Sequence, residues 1–180
     1  MVPPAAGRQT ALVRPRPGAA RPFEAGACVT LFIVRHGKAG DREKWDRDDE
    51  LRPLSKGGVK QADALADWLE RESVAHILTS PAVRCRQTVE PLAQRTRVAL
   101  EASDAIREGA RLDETLALID KVCDEHTVLC THGDVIGNLL WHLESVGVRL
   151  ECHLLQKAST WVLDVESGGV IAARYVPPLS

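Results

Sequence analysis

The sequence has no apolar run approaching the roughly 20 residues that a membrane-spanning helix needs, no C-x-x-C pair, no internal repeat and no marked excess of one charge. Each absence excludes something. A formal net charge of −2, from 23 Lys plus Arg against 25 Asp plus Glu, gives no general attraction to a nucleic acid polymer or to an anionic membrane. The cysteines, Cys28, Cys85, Cys123, Cys130 and Cys152, are odd in number and scattered, so neither a zinc site nor a disulfide framework is signalled. Reduced thiols in a cytoplasmic protein are expected, most of them serving as small hydrophobes. What is present, 180 residues of which 44% are apolar, suffices for one domain with a sizeable core.

Residues 1–27 differ from the remainder. They hold prolines at 3, 4, 15, 17 and 22, four arginines and a single acid, Glu24. Such a composition buries too little surface to offset its ordering entropy, so a disordered tail is expected here and a domain over residues 28–180. A transit peptide or an upstream start codon would read the same way.

Past the tail, short β-rich runs alternate with amphipathic segments. Strands are predicted at 29–35, 76–79, 98–100, 127–131, 159–165 and 170–175, the last two forming a hairpin around Ser167-Gly168-Gly169. Helices are predicted after Ser55, with 59, 62, 65, 66 and 69 on the apolar face, from Ser80-Pro81 to a kink or end near Glu90 before Pro91, at 112–123 and at 134–146. Residues 41–50 read as a charged loop around Trp45. The alternation implies an α/β fold, a sheet covered on both faces.

Two apolar strands end in the same way, the first in Arg35-His36-Gly37 and the late one in His132-Gly133. If those strands are neighbours, the two imidazoles converge on one pocket. Arg84 lies one turn into the helix opened by Ser80-Pro81, whose amino end favours an anion. Two guanidinium groups, a helix terminus and two imidazoles describe a seat for a phosphoryl group.

These motifs, Arg35-His36-Gly37, TSPAVRCRQT with Ser80, Pro81, Arg84, Gln87 and Thr88, and LCTHGD with His132 and Gly133, stand in the order found in the histidine phosphatase superfamily, also called phosphoglycerate mutase-like. The chain resembles that family from residue 29 to about 146, LSKGGVKQA included. Within it the short chain, Lys38-Ala39 and DELRPL resemble the SixA-type branch or its close relatives rather than the sugar-phosphate mutases, and a closer likeness lies in two further segments. CTHGDVIGNLLWHL and KASTWVLDV are similar to the histidine phosphatase domain of MutT-type Nudix fusion proteins, although no Nudix box precedes them.

The resemblance implies a three-layer α/β/α sandwich with a mostly parallel central sheet. It also implies a metal-independent phosphohydrolase without cofactor, in which His36 becomes the phosphohistidine and Arg35, Gly37, Arg84 and His132 hold the phosphoryl oxygens. His36 would then be neutral, its second ring nitrogen donating to a backbone carbonyl. Gln87 and Thr88 are expected to secure the helix. Glu108 is the candidate general acid, with Asp104, Asp113 and Glu114 as rivals; SixA-type enzymes lack such an acid because their leaving group is an imidazole. Lys38 and Arg52 would form a cationic substrate rim. The implied partner is a phosphohistidine protein or a small phosphorylated metabolite or nucleotide. The alternative is a non-catalytic module that binds a phosphorylated ligand in an inherited pocket.

Overall fold

A computed structural model describes residues 29–179. The tail expected over residues 1–27 and Cys28 lie outside the described residues. In chain order the elements are β1 (Val29–Arg35), α1 (Lys56–Leu69), β2 (His76–Thr79), α2 (Val83–Thr96), β3 (Leu100–Ala102), α3 (Leu112–Val122), β4 (Thr127–Thr131), α4 (Gly133–Ser145), β5 (Thr160–Glu166) and β6 (Gly169–Val176). The strands form one sheet in the order β3-β2-β4-β1-β5-β6. From β3 to β1 neighbours are parallel, and β5 and β6 close the sheet antiparallel.

Period-two alternation along the central strands sorts the core into two faces. Leu31 and Ile33 of β1, Leu129 of β4 and Trp161 and Leu163 of β5 pack with Leu116 and Ile119 of α3 and Ile136, Leu139 and Leu143 of α4. Phe32 and Val34, Val128 and Cys130, and Val162 pack on the other side with Leu65, Ala66 and Leu69 of α1 and Cys85, Val89 and Leu92 of α2. The result is a three-layer α/β/α sandwich, with α1 and α2 on one face and α3 and α4 on the other. No helix among the described residues is long and apolar enough to cross a membrane.

The same alternation decides where the chemistry goes. Continuing β1 past Val34 sends Arg35 toward α4 and His36 toward α2. β4 pairs with β1 in register, Arg35 opposite Thr131, so His132 emerges beside His36.

Several expectations shift. α1 starts as predicted, with Ser55 accepting from the Gly58 amide at 3.2 Å, but Val59 is half exposed and Gly58 is the buried member of that turn. A Cβ on Gly58 would stand 2.0 Å from the Lys38 carbonyl oxygen, so no larger residue permits this contact between helix and loop. α2 begins at Val83 rather than at Ser80-Pro81 and runs through Pro91 to Thr96. Buried Val89 and Leu92 on either side of the proline keep it against the sheet and outweigh the one hydrogen bond Pro91 cannot make. β3 lies two residues later than predicted, because its register with β2 pairs Ile77 with Leu100 and Thr79 with Ala102.

The charged segment 41–50 is more ordered than its composition suggests. It ends in a single 3-10 turn at Asp49–Leu51, and its two ends are joined where Gly40 donates to the Pro53 carbonyl and Ser55 to the Lys38 carbonyl. Arg52 fastens it from inside, donating to Asp49 Oδ1 at 2.9 Å and to the Gly40 carbonyl at 2.8 Å.

Candidate active site

His36 sits just past β1 and is 3% exposed. Its Nδ1 lies 2.9 Å from the Gly37 carbonyl oxygen. A carbonyl only accepts, so Nδ1 carries the proton and Nε2 keeps its lone pair. Burial, then the charge of Lys157, push His36 down to about 2 against the opposing pull of the Gly37 carbonyl; His132 and Arg84 push the same way. At neutral pH the imidazole is uncharged and its Nε2 carries a lone pair in place of a proton.

His132, the residue immediately before α4, is 2% exposed. The two rings meet edge to face with centroids 5.3 Å apart. Ser80 Oγ lies 2.8 Å from His132 Nε2, which explains why Ser80 does not cap α2. That leaves His132 Nδ1 on the side of Arg84, whose Nη2 is 3.4 Å away. The amino end of α4 therefore opens at the site, where its backbone dipole favours negative charge.

Arg84 is 1% exposed, an unusual place for a guanidinium. Its Nη2 donates to Glu108 Oε2 at 2.6 Å and its Nη1 to the Asp49 carbonyl at 2.6 Å, with Asp49 Oδ2 at 3.1 Å. Arg35 leans on α4 and donates through Nη1 to the Leu155 carbonyl. Burial pulls Arg35 below the usual guanidinium range, opposed by Asp134 and Glu108. Both arginines keep a buried Nε–H with no partner among the described residues. Buried unpaired donors are costly in a native structure and call for an acceptor.

α2 also grips the loop after β1. Thr88 Oγ1 accepts from the Gly37 amide at 2.9 Å and donates to the Arg84 carbonyl at 2.7 Å, while Gln87 Oε1 accepts from the Leu54 amide at 2.8 Å. One helix thus positions Arg84 and the backbone beside His36 together.

The residues singled out in the sequence do not all fall together. Arg35, His36, Gly37, Arg84 and His132 converge, and Glu108 joins them, 3.9 Å from His132 Nδ1. Its loop is tied to α4 where the Gly109 amide donates to Asp134 Oδ2 at 2.7 Å. Of its rivals, Asp113 pairs with Arg111 and Glu114 accepts from the Arg111 amide, while Asp104 makes none of these contacts. Lys38 is exposed. Arg52, expected as a rim cation, is 8% exposed and engaged with Asp49 and Gly40; its guanidinium is occupied in closing the loop. That pairing holds the Asp49 carboxyl below the usual carboxylate range, with Arg84 and Arg42 adding to it. His76 and His153 pair with Glu125 and Glu144, and His126 Nδ1 accepts from the Thr30 amide. All three lie away from the site.

Two residues escaped the sequence reading. Asp49, taken as one charge among many in the loop, supports Arg84 from behind. Lys157 places its Nζ 3.0 Å from His36 Nε2. Its signal is topological: β5 runs antiparallel to β1, Thr160 opposite Val34, so whatever precedes β5 arrives where β1 ends.

Comparison with known proteins bears on the fold and the family. The model of the histidine phosphatase superfamily (branch 1) matches residues 31–111. An 8-oxo-(d)GTP phosphatase of Mycolicibacterium smegmatis is 36% identical over 155 residues, 83% of this chain and 48% of that protein. The phosphohistidine phosphatase SixA of Escherichia coli is 34% identical over 64 residues, 34% of this chain and 38% of that protein. The chain thus spans about half, or less, of the length of these curated relatives. Among solved structures, the protein histidine phosphatase SixA complexed with tungstate superposes with a TM-score of 0.68 at 19% identity, covering 84% of this chain and 97% of that one. A mycobacterial glucosyl-3-phosphoglycerate phosphatase complexed with VO3 gives 0.64 at 19% identity, covering 84% and 100%. At such identities the superpositions speak for the fold, and the family model and the 36% relative for descent. Strand-end motifs, topology and likeness have one explanation: the chain belongs to the histidine phosphatase superfamily.

Proposed function

We propose that the chain is a phosphatase working through a phosphohistidine on His36, a hydrolase of phosphoric monoesters or phosphoramidates. The observation that carries this reading is the state of His36 Nε2. It is unprotonated, buried, and faced by His132 and the cationic groups of Arg84 and Lys157. In the first step Nε2 attacks phosphorus while the bond to the leaving atom breaks, its electron pair departing with that atom. Arg35, Arg84, His132 and the Gly37 loop hold the non-bridging oxygens, which is most of what phosphoryl transfer requires of a protein. In the second step water attacks the phosphohistidine, the P–N bond returns its pair to Nε2, and phosphate leaves. The two unpaired Nε–H donors would gain an acceptor when phosphate is seated.

Glu108 reaches the pocket, but its Oε2 accepts from Arg84 Nη2 at 2.6 Å and is turned to that guanidinium. We assign it to orienting Arg84, with any proton donation to the leaving group secondary. For substrate we favour a small phosphorylated metabolite, nucleotides first, over a phosphohistidine protein. The relative similar over most of this chain is named as an 8-oxo-(d)GTP phosphatase, whereas the likeness to SixA of Escherichia coli covers about a third. A cytoplasmic setting belongs to the same reading, supported by free thiols at Cys85, Cys123, Cys130 and Cys152.

The test is acid-free quenching, at high pH, of a reaction with radiolabelled substrate, followed by peptide mapping. Label that survives base, is lost in acid and sits on His36 is expected, with hydrolysis of an aryl phosphate abolished in His36→Ala. Equal hydrolysis by wild type and His36→Ala would refute His36 as the nucleophile, and no hydrolysis above background by either would reduce the chain to a binding module. Nucleoside di- and triphosphates, sugar phosphates and a phosphohistidine peptide, compared by kcat/KM, rank the substrates.

A further inference from the structure

We propose that Lys157 is a further catalytic residue of this site: its ammonium group touches the attacking nitrogen of His36 in the free protein and moves to the phosphoryl oxygens when phosphorus takes its place. The inference rests on the reading of His36 as nucleophile. Its geometric basis is separate.

Nζ lies 3.0 Å from Nε2, and since Nδ1 holds the ring proton, Lys157 is the donor. A phosphorus atom that bonds to Nε2 must come closer than Nζ now stands. The ammonium group must then leave that position, and its flexible stem lets it follow the incoming oxygens. It keeps its proton throughout, so it contributes charge and hydrogen bonds to a phosphoryl group whose charge is redistributing.

The backbone is arranged for this. Ala158 adopts φ +63°, a left-handed conformation that side chains with a Cβ rarely take. It is held there because its amide donates to the carbonyls of both Arg35 and His36, at 3.0 and 3.1 Å, while the Arg35 amide donates to the Ser159 carbonyl at 2.9 Å. Strain fixed by bonds to the strand end that carries the nucleophile is the kind retained at functional sites.

The charges around Lys157 are mainly positive, Glu108 and the Asp49 carboxylate that pairs with Arg52 and Arg84 being the acids among them. Arg35 and His36 face it from the end of β1, Arg84 from α2, Arg52 from the loop before α1, Glu108 from the segment before α3 and His132 from the head of α4. Burial, then Arg35, Arg84 and Arg52, bring Lys157 down to about 8, with Glu108 opposing. A dianionic phosphoryl group balances this excess of cations.

In the free protein the lysine charge is present below about pH 8 and lost above it. The profile of kcat/KM, which reports the free protein, should therefore fall above about pH 8, while bound phosphate moves the corresponding limb of kcat to higher pH. With an aryl phosphate, Lys157→Met is expected to lower kcat/KM by roughly 10²–10³-fold and to remove the alkaline limb. Lys157→Arg should recover activity to within about tenfold and carry the limb beyond the accessible range, since a guanidinium stays charged. Wild-type kcat/KM in Lys157→Met, or an unchanged limb in either variant, overturns the proposal. Should Lys157→Met fail to fold, wild type decides alone: a kcat/KM profile flat to pH 10 overturns it, and a fall above about pH 8 upholds it. Failure of the His36 reading shows separately, as wild-type turnover with no label on His36.

Discussion

Replacing Gly133 with alanine separates the needs of the fold from the needs of the chemistry. A Cβ at this position would stand 2.9 Å from Arg35 Cζ, 3.0 Å from Nε and 3.1 Å from Nη2. Comfortable contacts between such atoms lie at about 3.5–4.0 Å, so the guanidinium must retreat by roughly 0.5–1 Å. The guanidinium is thereby displaced from the position it holds beside the head of α4. Misplacement on that scale costs up to about 10²-fold in rate, or about 2.7 kcal/mol of barrier. The backbone of Gly133 is not left-handed, and alanine is the better helix former, so the fold should lose little. We expect Gly133→Ala to lower kcat/KM on an aryl phosphate by roughly 10–100-fold with a thermal midpoint within a few degrees of wild type. Gly137→Ala, one turn along α4, is the control. Its Cβ would meet Leu155 Cδ1 at 3.6 Å, an ordinary contact, and the helix should gain about 0.5–1 kcal/mol with activity unchanged. Wild-type kcat/KM in Gly133→Ala would refute the idea that Arg35 is held in place by the lack of a side chain opposite.

Two further outcomes are expected. Glu108→Gln should slow hydrolysis of aryl and alkyl phosphates by a similar factor, because an orienting role is indifferent to the leaving group; a much larger loss on the alkyl ester would restore Glu108 as general acid. Stability should fall with pH below about 6.5, since His36 stays neutral in the fold down to about 2 whereas the unfolded chain takes up the proton. In His36→Asn the decline in urea midpoint between pH 7 and pH 5 should be shallower, and an equal decline in both proteins would contradict the burial argument.

How far the sequence revealed all this depended on the range of the interaction involved. β1 and β4 were legible because they are buried on both faces and read as unbroken apolar runs. His36 and His132 were legible because each stands where such a run stops. Arg84 needed only the helix that follows Ser80. Arg52 was misread, since nothing in a string of alternating charges tells which one turns inward to close a loop. Pro91 was given its local weight, and the burial of Val89 and Leu92 overruled it. Glu108 could be separated from Asp104, Asp113 and Glu114 only by contacts in space. Lys157 was invisible for a different reason: its place follows from β5 lying beside β1, a pairing that local pattern does not announce.

That pairing bears on how the molecule is made. β1 has β4 and β5 as its strand neighbours, about 100 and 130 residues further along. On a ribosome, the strand that ends at His36 emerges well before β4 and finds its first strand partner only after residue 127 has been synthesised. Until then its apolar run is an open edge, the condition in which nascent chains associate wrongly. Closing such distant contacts is slow, and the side chains of the candidate site acquire their positions only with that closure. A ligand that bridges His36 and His132 would bind the finished topology alone, and would draw the folding equilibrium toward it.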